Sequence, residues 1–206
     1  MTNFRKSKLL VLILMLLPIV QSCGGMKSLI SPKSSDRTSA PAKDSSQTSI
    51  QSSTQTAILV KEHMMAGEYQ KAIDIYNVEY RKYPHDQVLV REYVKSIENI
   101  KQVADKALDK EDFASAGRIY CILLKNYPHF KGFENKLSFN STHLNEKLSY
   151  CKKALFKQGF QEYRKGNLSG AIALWQDLLV IDPQNTDIKE SIRTAKLQQK
   201  KLKEKE

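Results

Sequence analysis

The chain has 206 residues, 41% of them apolar, and sets 33 Lys and Arg against 22 Asp and Glu for a formal charge of +11. That length supports one moderate hydrophobic core rather than two full-size domains, and eight Gly and six Pro are too few for a turn-rich β-sandwich. Three Cys exclude a miniprotein held together by disulfides, and the basic excess favours anionic partners without bearing on the fold.

At the N-terminus Arg5, Lys6 and Lys8 precede an apolar run from Leu9 to Val20 that only Pro18 interrupts. The profile is that of a signal peptide, and the run is shorter than the roughly 20 residues a bilayer span needs. Val20-Gln21-Ser22-Cys23 follows, and it resembles the lipobox of bacterial lipoproteins, with an aliphatic residue three before the cysteine and a small one just before it. The resemblance implies that residues 1–22 are removed and that Cys23 becomes a lipidated N-terminus. The competing reading is an ordinary signal peptide cut nearby, with Cys23 a stray thiol. Several acyl chains, at about 0.8 kcal/mol per buried methylene, would make the anchor durable. Gly24, rather than Asp, follows Cys23, which resembles outer-membrane sorting and predicts a cell-envelope protein facing the periplasm.

From residue 23 to 55 the chain is dominated by Ser, Thr, Gln, Lys and Pro, with doublets at Ser34-Ser35, Ser45-Ser46 and Ser52-Ser53. Such a composition buries too little to offset its ordering entropy, so a disordered tether is predicted.

One pattern then recurs three times. Gly67, Tyr69, Ala72, Tyr76 and Pro84 form the first copy; Glu111, Phe113, Ala116, Tyr120 and Pro128 the second; Gly166, Leu168, Ala171, Trp175 and Pro183 the third. In each, an aromatic stands four residues after the alanine and a proline twelve after it. A small residue lets two helices cross closely, an aromatic one turn on fills the space beside the crossing, and proline ends the helix. Gly67 and Gly166 permit the turn between helices, where the second copy has Glu111. The pattern resembles the second half of the tetratricopeptide repeat, a helix–turn–helix unit.

The resemblance implies an all-α fold over residues 56–203: three hairpins in a short right-handed solenoid, closed by a C-terminal solvating helix, with residues 204–206 frayed. Val60, Ala104 and Gly159 take the corresponding place in the first helices, though their 44- and 55-residue spacing exceeds the family's 34. A longer first helix from Asp86, about 22 residues, explains part of the excess. The third copy is extended likewise by Leu144, Leu148 and Cys151, with Ser141 or Thr142 as the expected N-cap and residues 130–140 a loop or short helix.

Hairpin arrays of this family bind proteins or peptides on the face formed by their first helices. The resemblance implies Lys61, Met64, Lys101, Asp105, Phe156, Phe160, Tyr163 and Arg164 as groove candidates. Each has an ordinary alternative: Phe156 and Phe160 as core, Lys61, Lys101 and Lys157 as solvated charges. Lys153 and Lys157 suit two basic places of the family's carboxylate clamp, but Ala57 and Lys61 do not suit the others. Cys121 and Cys151 lie on adjacent helices and form either a disulfide, as an oxidising compartment favours, or two small core residues. His63, His85, His129 and His143 show no metal spacing, and neither a nucleophile elbow nor a phosphate loop occurs. No catalysis, metal or cofactor is expected.

The resulting expectation is a lipid-anchored adaptor or scaffold that holds an envelope protein or peptide in its groove, in pilus or secretin assembly, outer-membrane assembly or regulation of cell-wall enzymes. The alternatives are electrostatic binding to an anionic polymer or membrane surface, and a purely structural spacer. Nucleic acid is disfavoured by the exported location and by scattered basic residues. Removing residues 1–22 takes away Arg5, Lys6 and Lys8 and no acid, which leaves +8 over 184 residues.

Overall fold

A computed structural model of the chain describes residues 45–204, with side chains from residue 55 onward. The expected signal peptide, Cys23 and the tether up to residue 44 lie outside the described residues, as do residues 205 and 206. All regular structure among the described residues is helical: α1 (Ser45–Met65), α2 (Tyr69–Lys82), α3 (Gln87–Asp109), α4 (Phe113–Asn126), α5 (Ser141–Arg164), α6 (Leu168–Ile181) and α7 (Thr186–Lys203). Two short 3₁₀ turns, Tyr127–Phe130 and Glu134–Lys136, join α4 to α5. Helices α1/α2, α3/α4 and α5/α6 are the three hairpins. Each packs on the next in chain order, α7 covers α6, and the second helices also touch one another, α2 on α4 and α4 on α6.

Helix α1 starts at Ser45, inside the Ser/Thr-rich segment that precedes residue 56. Ser and Thr are weak helix formers, but Gln is a good one and residues 45–56 contain neither Gly nor Pro, so nothing stops a helix seeded at Ala57–Met65 from propagating backwards.

The three hairpin turns are built alike. The first helix ends with the residue at Gly67, Glu111 or Gly166 in the left-handed region, at φ 73°, 58° and 80°. In each, the next N–H reaches five residues back: Glu68 to His63, Asp112 to Ala107, and Asn167 to Glu162, all at 2.9 Å. The left-handed residue's own N–H donates three back, to Met64, Leu108 or Tyr163. This double closure satisfies carbonyls that the helix end would otherwise orphan. Asp112 and Asn167 then cap α4 and α6 through the N–H groups of Ser115 and Gly170, both at 3.0 Å. On the first helices Asp86 caps α3. Asn140 caps α5 by accepting from His143 N at 2.8 Å, so the expected Ser141 and Thr142 lie just inside the helix. Asn140 is in extended backbone, as a cap requires.

The core runs through all three hairpins along the predicted positions. Ala72, Ala116 and Ala171 are buried, with Tyr76, Tyr120 and Trp175 beside them. Gly159 is required by packing, since a Cβ there would collide with the indole of Trp175. The segment expected as a loop or short helix is part of the core. Phe130, Phe133 and Phe139 are buried, and the Phe133 ring lies 4.9 Å from Tyr93 and 5.3 Å from Tyr80. Ser138 anchors the segment to α3 by donating its N–H and hydroxyl to Glu98 at 2.6 and 2.7 Å. The extra residues between hairpins two and three therefore fold back over α2 and α3 as an aromatic cover.

Cys121 and Cys151 are both free thiols in this structure, Cys151 buried and Cys121 half-buried. Cys151 faces Gly117, where a Cβ would lie 3.3 Å from its own, and Gly117 is a full turn before Cys121 on α4. Burial pushes the Cys151 thiol up to about 11, which leaves it protonated and unreactive at neutral pH.

Candidate functional site

Val60, Ala104 and Gly159 are equivalent positions, each twelve residues before the alanine of the second helix. Counting from them, one face of the first helices presents Ala57, Lys61 and Met64 in hairpin one; Lys101, Asp105 and Leu108 in hairpin two; and Phe156, Phe160 and Tyr163 in hairpin three. The groove candidates other than Arg164 therefore fall on one register, with Arg164 one position beyond it, but the three sets do different things.

In hairpin one, Lys61 and Met64 line a cleft of about 480 Å³ between α1 and α3, together with Ile58, Tyr76, Lys95 and Ser96. Lys61 is exposed, while Met64 packs partly against the core. The lining residues from α3 were not among the sequence candidates. Their signal was present as the polar positions between the apolar ones of α3, but polarity alone does not tell a cleft wall from open solvent.

Hairpin two closes its face on itself. Lys101 Nζ reaches Asp105 Oδ2 at 2.7 Å, and Tyr120 donates its hydroxyl to Asp105 Oδ1 at 2.6 Å. The two charged side chains retain 19% and 31% of their exposure. Burial works to raise the Asp105 pKa, but the hydrogen bonds from Lys101 and Tyr120 outweigh it and hold the carboxyl below its usual range. Burial and the bond to Asp105 together push the Tyr120 hydroxyl upward. Lys101 and Asp105 are thus engaged with each other.

Hairpin three does the opposite. Phe156 and Phe160 are 47% and 49% exposed, which excludes the core reading for both. Their rings stack nearly parallel, 8° apart, with centroids 6.4 Å from each other. Tyr163 continues the row at a further 6.4 Å and rests against the buried Trp175 at 5.8 Å. The neighbouring Leu155 and Gly159 point into the core, so α5 has an apolar stripe on each of two faces. Lys153, Lys157 and Arg164 flank the outer stripe, are exposed, and form no ion pair among the described residues. Trp175 Nε1, buried behind the row, has no acceptor among the described residues; the equivalent Tyr120 finds one in Asp105, where hairpin three has Phe160.

Helix α7, expected only to solvate the end of the array, adds to this face. Ile188, Ile192 and Ala195 pack inward, and Gln199 donates to Ser169 of α6 at 2.8 Å. On its other side Tyr163 donates to Gln198 at 2.9 Å.

The arrangement has the chemistry of a binding surface. Among the described residues no group of His, Cys, Asp and Glu is placed to hold a metal ion, and no helix is long and apolar enough to cross a membrane. These features define an all-α protein of three stacked helical hairpins with an exposed aromatic row on the third. No protein-family model matches the chain, and no curated protein matches it.

Proposed function

We propose that this protein is a lipid-anchored adaptor of the cell envelope that holds a protein partner on the first-helix face of its hairpin array. The observation that carries the reading is the row Phe156–Phe160–Tyr163, which leaves two phenylalanines half exposed beside unpaired cations. Exposed aromatic residues on a rigid helix are the usual anchors of protein interfaces, since they bring large contact area and little conformational entropy. The hairpin array supports the same reading, because it holds that row on a packed scaffold. Placement at a membrane rests on the Val20-Gln21-Ser22-Cys23 motif behind an apolar run.

Two experiments test the two halves. A photo-crosslinking amino acid in place of Phe160 should capture one envelope protein in intact cells, and the same probe in place of Val180, exposed on α6, should not. Equal capture from both positions would count against a groove. Labelled palmitate should enter the wild-type protein and fail to enter Cys23→Ala; equal labelling would remove the lipid anchor.

A further inference from the structure

We infer that the aromatic row of α5 and the neighbouring face of α7 form one two-walled docking surface for an acidic polypeptide segment with apolar side chains about 6 Å apart. This rests on the adaptor reading above and adds to it the chemistry of the partner and the part of α7.

Charge is the first ground. Helices α5 and α7 carry eleven Lys and Arg against four acids, a net +7, whereas α1 to α4 together carry ten against seven, a net +3. Two of the four acids are already engaged: Glu162 accepts from Lys165 and Asn167, and Glu190 from Arg193. Lys153, Lys157 and Arg164 lie next to the rings with no such partner among the described residues. In hairpin two the equivalent face is neutralised by its own Lys101–Asp105 pair; in hairpin three no ion pair among the described residues takes up Lys153, Lys157 or Arg164, which leaves room for an anion of a partner.

Geometry is the second ground. The rings step by 6.4 Å twice in succession. That spacing matches apolar side chains one helical turn apart, about 6 Å, or alternate residues of an extended segment, roughly 6.6 Å. The second wall is fixed rather than incidental, because Gln198 holds Tyr163 on one side while Gln199 holds Ser169 on the other. One turn beyond Gln198, Leu202 is 52% exposed and Lys201 is exposed beside it, so α7 repeats the pairing of apolar and cationic side chains found on α5.

An anionic lipid surface would meet the charge, and about half of each phenylalanine is open to it. It offers no counterpart to the 6.4 Å ring spacing or to the wall that α7 adds at Gln198, and the vesicles below test it.

The test uses the full-length protein in neutral phosphatidylcholine nanodiscs and a short fluorescein-labelled peptide alternating Glu with Leu or Phe. The comparison probes are the same peptide with Lys for Glu, polyglutamate, and phosphatidylglycerol vesicles. The Glu peptide should bind at least about tenfold more tightly than the Lys peptide or polyglutamate, and should weaken as salt rises to about 0.5 M. Phe160→Ala and Lys157→Glu should each weaken it about tenfold or more, and Leu202→Asp should weaken it severalfold with helix content and melting temperature unchanged. Equal binding of the Lys peptide, polyglutamate binding that ignores Phe160→Ala, or ring-dependent binding to the vesicles in place of the peptide would each overturn the inference. Loss with the α5 variants but not with Leu202→Asp would remove α7 from it. If the Glu peptide does not bind while the crosslinker at Phe160 still captures an envelope protein, the adaptor reading stands and the acidic-segment inference fails; if neither binds, both fail.

Discussion

Hairpins two and three share a backbone plan and use the same three surface positions in opposite ways. Lys101 and Asp105 of α3 close a polar contact with Tyr120 and leave nothing over. Phe156, Phe160 and Tyr163 of α5 stack on one another and leave apolar area facing outward beside unpaired cations. The contrast shows that equivalent positions in a repeat array need not carry equivalent roles. One hairpin satisfies its face internally and contributes stability; the next leaves its face unsatisfied, and an unsatisfied apolar and cationic face on a rigid helix is what a partner can use.

The contrast can be pressed hardest at the helix crossing. Gly159→Ala places a methyl group against the indole of Trp175 and should destabilise the protein by about 1–3 kcal/mol, read as a drop in the urea midpoint. Ala104→Gly at the equivalent site of hairpin two should cost only about 1 kcal/mol, through helix propensity. Equal losses would mean that the two crossings are packed alike.

A smaller effect is expected from Asp105→Asn, which removes the anion that Lys101 and Tyr120 share; about 1 kcal/mol of stability at neutral pH should go with it. The folded pKa of Asp105 is lowered, so its contribution is present above the ordinary carboxylate range, near 4, and is lost as pH falls through that range and below. Thermal melts of the wild type should therefore decline with acid more steeply than those of the variant. Parallel curves would show that the pair adds nothing.

The smallest effects concern the turns. Glu111 holds a positive φ that glycine holds in the other two hairpins, so Glu111→Gly should stabilise by about 0.5–1 kcal/mol and Gly166→Ala should destabilise by a similar amount. A Cβ at Gly166 meets nothing within 4 Å, so the second change isolates backbone strain from crowding. In a domain of this size the shifts correspond to about 2–4 °C in melting temperature per kcal/mol.

Much of the array was legible because it is written in local spacing. Alanine, aromatic and proline recur at fixed offsets, and the lengthened α3 shows a helical period from its Asp86 cap onward. The cover formed by Phe130, Phe133 and Phe139 was not legible, since its partners Tyr80 and Tyr93 lie on α2 and α3, tens of residues earlier. The candidate site was half legible. Register placed Lys61, Lys101, Phe160 and Tyr163 on one face, but register does not say whether a side chain there is paired, buried or open.

The sequence by itself determined that residues beyond the Ser-rich segment form three helical hairpins and a closing helix, because the periodicity of apolar residues, the small residues at crossings and the turn residues all act within about 30 positions of one another. Only the tertiary structure decided what those hairpins present. Whether Lys101 is a free cation, whether Phe160 is core or surface, and whether α7 is a cap or a wall all depend on which side chain of a neighbouring helix stands opposite. That opposition is set by how the helices cross.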